Sequence, residues 1–147
     1  MEDPTFISNY KSKDVSTPYG DPSSELILGT IADVPVVILS RHGPGHSINP
    51  TNVNYRANVW ALKKESCSHI LAATACGSLR GLIAPGHFVF PDQFIDRTTK
   101  RISTFFGGSD VRHVSMGNPF SSGVRSCLVK ACKSLEFEHH NGGTVVT

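Results

Sequence analysis

The sequence predicts an α/β fold, layered, with a largely parallel sheet. Short apolar runs of strand length alternate with two longer stretches whose apolar residues recur at helical spacing. A hydrophobic share of 39% against 18% charged residues suits a chain that buries a core rather than one that stays disordered. The 147 residues suffice for one domain, and no internal repeat or low-complexity tract interrupts them.

The elements follow in order. Residues 1–24 are polar, with "TPYGDPSS" as a turn cluster. "ELILGTI" (25–31) and "VPVVILSR" (34–41) read as two strands of a hairpin split at Ala32-Asp33, with Pro35 weakening the second. Residues 49–66 read as a helix capped by Thr51 or Asn52, with Val53, Ala57, Trp60 and Ala61 on its apolar face. "SHILAATACGS" (68–78) reads as a buried strand running into a glycine turn. "HFVFPDQFID" (87–96) is a strand interrupted by Pro91, and 97–110 is a loop. A second amphipathic helix spans 121–135, with Val124, Leu128, Ala131 and Leu135 on one face, and "GTVVT" (143–147) begins a strand.

Composition excludes several classes. Fourteen basic residues against twelve acidic give a net charge of +2 with no dense basic run, so no nucleic-acid partner is expected. No apolar segment approaches the roughly 20 residues that span a bilayer, so no membrane partner is expected either. The start, "MEDPTFISNYKSKD", has acidic residues where a secretion signal has basic then apolar ones, so a soluble intracellular chain is expected. Cys67, Cys76, Cys127 and Cys132 form no CxxC pair and read as reduced thiols.

The chemistry concentrates where the apolar run "VPVVIL" breaks into "SRHGPGHS". Metal binding by His42 and His46 is disfavoured, because Gly43-Pro44-Gly45 cannot hold the pair on a helix and no third ligand stands nearby. "RHG" after a strand resembles the phosphate-binding corner of the histidine phosphatases, although Pro44 sits where those carry Glu or Thr. A third reading is a non-covalent anion cradle, in which Arg41 offers a planar fork of donors and the glycine turn exposes backbone N–H groups. The plainest reading is a polar loop. "AATACGSLR" (72–80) is a second apolar run breaking into small residues, and alone it suits tight helix–sheet packing. Taken together, two such breaks at the carboxyl edge of a sheet favour a phosphate site.

The stretches "SRHGPGHSINPTNVNYRANVWALK", "TACGSLR" and "DQFIDRT" resemble the S-methyl-5'-thioadenosine phosphorylases of the trimeric purine nucleoside phosphorylase superfamily. The order and intervals of the motifs agree from Thr17 to Thr147, which argues against the phosphatase reading. The resemblance implies a three-layer α/β/α fold with a mixed, largely parallel sheet. It implies phosphorolysis of 5'-methylthioadenosine to adenine and 5-methylthioribose 1-phosphate, a pentosyltransferase reaction of purine and methionine salvage. Inorganic phosphate would be co-substrate, with no metal or organic cofactor. Arg41, His42, Thr74 and Ala75 would bind phosphate, and His46 would stand at the phosphate and ribose edge. His113, in "VRHVSM", would reach the substrate pocket of a neighbouring subunit in a homotrimer; without the resemblance it reads as an exposed loop histidine. "DQFIDRT" would shape the core and the subunit contact. His139 and His140 receive no role. The implied compartment is the cytoplasm, with the nucleus as a second.

The same resemblance implies that residues 1–147 are one partial phosphorylase domain with both ends missing. The family's opening strand and Gly-Gly-Thr-Gly turn have no counterpart in "MEDPTF", and the chain stops at "GGTVVT", before the family's "EGPRF" and purine pocket. Relatives often carry a basic residue where Pro44 and Gly45 stand. No catalytic residue is assigned. The isolated chain is accordingly expected to be inactive, and the alternative function is a catalytically dead remnant that associates with complete subunits.

Overall fold

The computed structural model describes residues 6–147, so the first five residues of the polar start lie outside it. The chain divides into two compact units: Met1–Ala72 with Lys100–Gly108, and Ala73–Thr99 with Ser109–Thr147.

The first unit is a three-stranded antiparallel sheet packed on a helix. Strand β1 (Ser8–Lys13), β2 (Leu26–Ile31) and β3 (Val34–Leu39) lie in sequence order, and α1 spans Tyr55–Lys64. The expected hairpin is present, closing at the pair Ile31–Val34. Ala32 (φ 46°) and Asp33 (φ 63°) both adopt left-handed backbone, the requirement of a two-residue turn whose twist matches its strands. β3 tolerates Pro35 because it is the edge of this sheet. β1 was not expected: "SNYKSK" is exposed throughout and carries no apolar alternation.

Helix α1 begins later than the spacing suggests. Asn49 Oδ1 accepts the N–H groups of both Thr51 and Asn52 at 3.1 Å, so the proposed caps are spent in an Asx-type turn around Pro50. The cap is Asn54, whose Oδ1 accepts from Ala57 at 3.2 Å while its Nδ2 donates to the Tyr19 carbonyl at 2.7 Å. Val15, Leu26 and Ala61 form the core, flanked by Leu28, Val37, Leu39, Trp60 and Leu62. One buried polar side chain, Asn58, is matched to Ser23 twice, accepting its N–H at 2.8 Å and donating to its Oγ at 2.9 Å. The loop Lys100–Gly108 is held by aromatic contacts: the Arg101 guanidinium lies 5.2 Å from the Tyr55 ring, and Phe105 meets Tyr19 edge-on at 5.3 Å.

The second unit is built on parallel pairing. β4 (Phe88–Phe90) pairs with β6 (His139–Asn141), β5 (Gln93–Ile95) pairs with β7 (Thr144–Val146), and helix α2 (Ser122–Ser134) lies between them in the chain. This is a strand–helix–strand unit. Both strand runs break at the same level, at Pro91-Asp92 and at Gly142-Gly143, and the break is bridged. Gly142 N–H donates to the Phe90 carbonyl at 2.9 Å, and Gly143 N–H to Asp92 Oδ1 at 3.1 Å. Both glycines sit at φ 110°, backbone that favours glycine.

Two expectations are corrected here. On α2 the inward side carries Cys132, with Val124, Leu128 and Val129 half-buried, whereas Ala131 and Leu135 are exposed; the expected stripe holds at Val124 and Leu128, and Cys132 takes the place expected for Ala131. Residues 68–78 form no strand and are exposed along their length. An apolar run becomes a strand only where neighbours accept its backbone hydrogen bonds, and among the described residues no strand pairs with it.

Candidate anion-binding site

Arg41, His42 and His46 come together just beyond the end of β3. Ser40, the first residue past the strand, is tied by its N–H to Ser24 Oγ at 3.0 Å. The chain then turns: Gly43 N–H donates to the Ser40 carbonyl at 2.9 Å, Pro44–His46 make one 3-10 turn, and Ile48 N–H returns to the His42 carbonyl at 2.8 Å. Gly43 is buried at φ 74° and ψ 170°, a region open almost only to glycine. A Cβ there would stand 3.0 Å from Ser47 Oγ and 3.1 Å from two carbons of Ile48. His46 itself has φ 60°, and its ring stacks on His42 with centroids 4.5 Å apart and planes 28° apart.

These contacts determine the proton on His42. Its Nδ1 lies 2.8 Å from the Ile48 carbonyl oxygen, and a carbonyl can only accept, so Nδ1 carries the hydrogen. Nε2 is then a lone pair, and Arg41 Nε donates to it at 3.3 Å. The contact is long, and the terminal nitrogens of Arg41 are the ones left to offer an anion a fork. Both side chains are half-buried, whereas His46 is exposed. The loop thus presents a guanidinium donor set and an imidazole acceptor nitrogen side by side.

The other predicted residues belong to the second unit. Thr74 and Ala75 lie in the exposed, irregular 73–78 segment, not at the end of a strand as expected; Thr74 Oγ1 makes only a 3.4 Å contact with the Ala75 carbonyl. Gly77 has nothing within 4 Å of where a Cβ would stand, so tight helix–sheet packing does not explain the small residues here. His113 is exposed in an irregular stretch.

A sequence model described as the phosphorylase superfamily matches residues 2–147. This chain belongs to the phosphorylase superfamily. Among curated relatives, S-methyl-5'-thioadenosine phosphorylase of Danio rerio is 50% identical, aligned over 100% of this chain and 54% of its own length. The Ciona intestinalis protein of the same name is 53% identical over 90% of this chain and 49% of its own. Among solved structures, methylthioadenosine phosphorylase from Schistosoma mansoni in complex with adenine superposes with a TM-score of 0.92 at 40% identity, covering 99% of this chain and 60% of that one. A methylthioadenosine phosphorylase from an antarctic soil metagenomic library gives 0.93 at 40% identity, over 97% and 50%. The fold is therefore the α/β nucleoside phosphorylase fold, and the chain spans about half the length of the curated relatives it matches. Among the described residues no helix is long and apolar enough to cross a membrane.

Sequence reasoning missed one cluster. His140, given no role, lies in β6 with its Nε2 3.0 Å from His87 Nδ1. The two residues are 53 positions apart, so only the parallel register could have revealed the pair.

Proposed function

We propose that this chain carries phosphate-binding residues of a methylthioadenosine phosphorylase, a pentosyltransferase that converts 5'-methylthioadenosine and inorganic phosphate to adenine and 5-methylthioribose 1-phosphate. The Arg41–His42 arrangement at the exit of β3 carries this reading. In the reaction a phosphate oxygen forms a bond to the anomeric carbon as the bond to the purine nitrogen breaks. The bonding pair leaves with the base, which takes up a proton.

Phosphate would displace the long Arg41–His42 contact. Its oxygens then receive the guanidinium N–H groups, while a P–O–H donates to His42 Nε2. The Ile48 carbonyl holds His42 in the tautomer that can accept that hydrogen. Thr74 would add its hydroxyl and Ala75 its backbone N–H. His46 would sit at the ribose edge, and His113 would reach the nucleoside pocket of a neighbouring subunit of a homotrimer. No metal or organic cofactor takes part in this scheme, and the protein would work in the cytoplasm and, as a second compartment, the nucleus. The residues 1–147 would be part of a single phosphorylase domain.

Inorganic phosphate titrated into the chain and followed by calorimetry tests the site, and adenine release from methylthioadenosine, in a protein that includes these residues, tests the reaction. A charge-assisted hydrogen bond contributes about 1.5–3 kcal/mol, so Arg41→Ala should weaken phosphate roughly 10- to 150-fold. Unchanged phosphate affinity in Arg41→Ala would overturn the assignment.

A further inference from the structure

We propose that Asn141 is a modification site: the Gly142 nitrogen displaces its side-chain amide, and the carboxylate left behind docks on the Arg125 guanidinium. Asn141 closes β6, and its exposed side chain accepts from Arg125 Nη2 through Oδ1 at 2.6 Å. It alone among the chain's seven asparagines precedes a glycine; two precede proline and the others precede valine or tyrosine. Glycine has no Cβ to hinder its nitrogen as a nucleophile, whereas proline's nitrogen has no hydrogen to give up.

The guanidinium has room for the product. Arg125 is 20% exposed, and its Nε is buried with no acceptor among the described residues. Nε and Nη2 lie on one edge of the guanidinium, and the two N–H groups of that edge match the two oxygens of a carboxylate. Asn141 fills the edge only by half, because an amide has one oxygen and its nitrogen only donates. Asp92 does not fill it either: its Oδ1 accepts the Gly143 N–H at 3.1 Å, and its Oδ2 stands 3.8 Å from Nη2. A carboxylate at position 141 keeps the Nη2 bond and gives Nε the acceptor it lacks.

The reaction balances with water as co-reactant. Gly142 N gives its proton to solvent and bonds to Asn141 Cγ, whose oxygen Arg125 polarises through Nη2. The Cγ–Nδ2 bond breaks, Nδ2 takes up a proton and leaves as ammonia, and a cyclic imide remains. Water then opens the imide. Cleavage between Gly142 N and Cγ gives aspartate, and cleavage at the backbone carbonyl carbon gives isoaspartate. Only aspartate keeps Gly142 in line with Phe90, since isoaspartate adds a backbone carbon. In the closed strand pair Gly142 N–H donates to the Phe90 carbonyl at 2.9 Å, so attack follows local opening there. β6 is three residues long, and Gly142 lies just past its end at φ 110°, where paired strands open most readily.

The unaltered chain, aged in mildly alkaline buffer, is mapped by peptide mass spectrometry for amide-to-acid mass gains. The gain should appear at residue 141 ahead of the other six asparagines. A gain led by another asparagine, or none at residue 141 once a free peptide of residues 138–144 has converted, overturns the site. Asn141→Asp supplies the aspartate product directly. A charge-assisted hydrogen bond is about twice as strong as a neutral one, so this variant should raise the folding equilibrium constant about fivefold. It should also raise the urea midpoint and shift the Arg125 Nε–H resonance. In an Arg125→Met background the same substitution should bring no gain. An unmoved Nε–H resonance, or an equal gain without Arg125, overturns the docking. The resonance is read in the folded chain with Arg125 in place, so it decides the matter even where Arg125→Met impairs folding.

Discussion

Replacing Gly43 by alanine should loosen the loop that holds His42 and so weaken phosphate without touching either anion-binding side chain. Two costs add. The backbone at φ 74° and ψ 170° lies where a side chain costs about 1–3 kcal/mol. The new methyl would also meet Ser47 Oγ at 3.0 Å and Ile48 at 3.1 Å, and overpacking a closed site costs typically about 1–3 kcal/mol. The sum, about 2–6 kcal/mol, is a large share of the ~5–15 kcal/mol that holds a domain folded. Relief comes most simply by moving Ile48, whose carbonyl fixes the His42 tautomer. Gly45 is the matched control. It also has positive φ, at 64°, but nothing lies within 4 Å of its Cβ position, so Gly45→Ala should cost only about 1–2 kcal/mol. Urea unfolding followed by Trp60 fluorescence gives the stabilities, and phosphate titration with NMR of the His42 ring gives the site. Gly43→Ala should unfold at clearly lower urea than Gly45→Ala and bind phosphate at least tenfold more weakly. Equal midpoints for the two variants, with His42 resonances unmoved, would refute the claim that this close packing orients the histidine.

Removing the α1 cap by Asn54→Ala should cost about 0.5–2 kcal/mol. It should also free the Tyr19 carbonyl it engages, read as a lower urea midpoint and faster amide exchange in the first turn of the helix; an unchanged midpoint would show that the cap is dispensable. At Gly29 a Cβ would stand 2.4 Å from Ile7 Cγ1 and 2.8 Å from the Ser8 carbonyl. Gly29→Ala should therefore pry β1 from β2 at a cost of about 1–3 kcal/mol, and Ile7→Ala should restore only part of it because the backbone contact remains. Full rescue by Ile7→Ala in a double-mutant cycle would contradict that division.

Local signals made much of the fold legible. The hairpin could be read because two apolar runs flank a two-residue turn, and α2 because its apolar residues recur at helical spacing; its cap, Ser121 accepting the Val124 N–H at 3.3 Å, came from the structure. What escaped depends on partners distant in sequence. β1 has an exposed polar sequence and exists because β2 offers it a ladder. The 68–78 run has strand-like composition but no ladder among the described residues. The start of α1 was misplaced because Asn49 Oδ1 folds Thr51 and Asn52 into a turn ahead of the helix, and the side-chain oxygen that accepts the helix's first free N–H is that of Asn54. In the candidate site, Arg41 and His42 were visible as polar residues ending an apolar run. The His42 tautomer was not, since it rests on a carbonyl six residues away.

The parallel ladder of the second unit also has a kinetic meaning. Asp92 and Gly143 meet across 51 residues, whereas the β2–β3 hairpin closes through Ala32 and Asp33 alone. A hairpin forms in about 1–10 μs, but a long-range parallel pairing must first close its intervening chain and so forms late. During synthesis the hairpin can zip as soon as it emerges. β4 and β5, with Val89 and Ile95 exposed among these residues, must wait for β6 and β7 to be made. That interval is when an unpaired, apolar strand edge is most open to a wrong neighbour, and Pro91, placed in the middle of the run, is a residue that such a neighbour cannot fully ladder against.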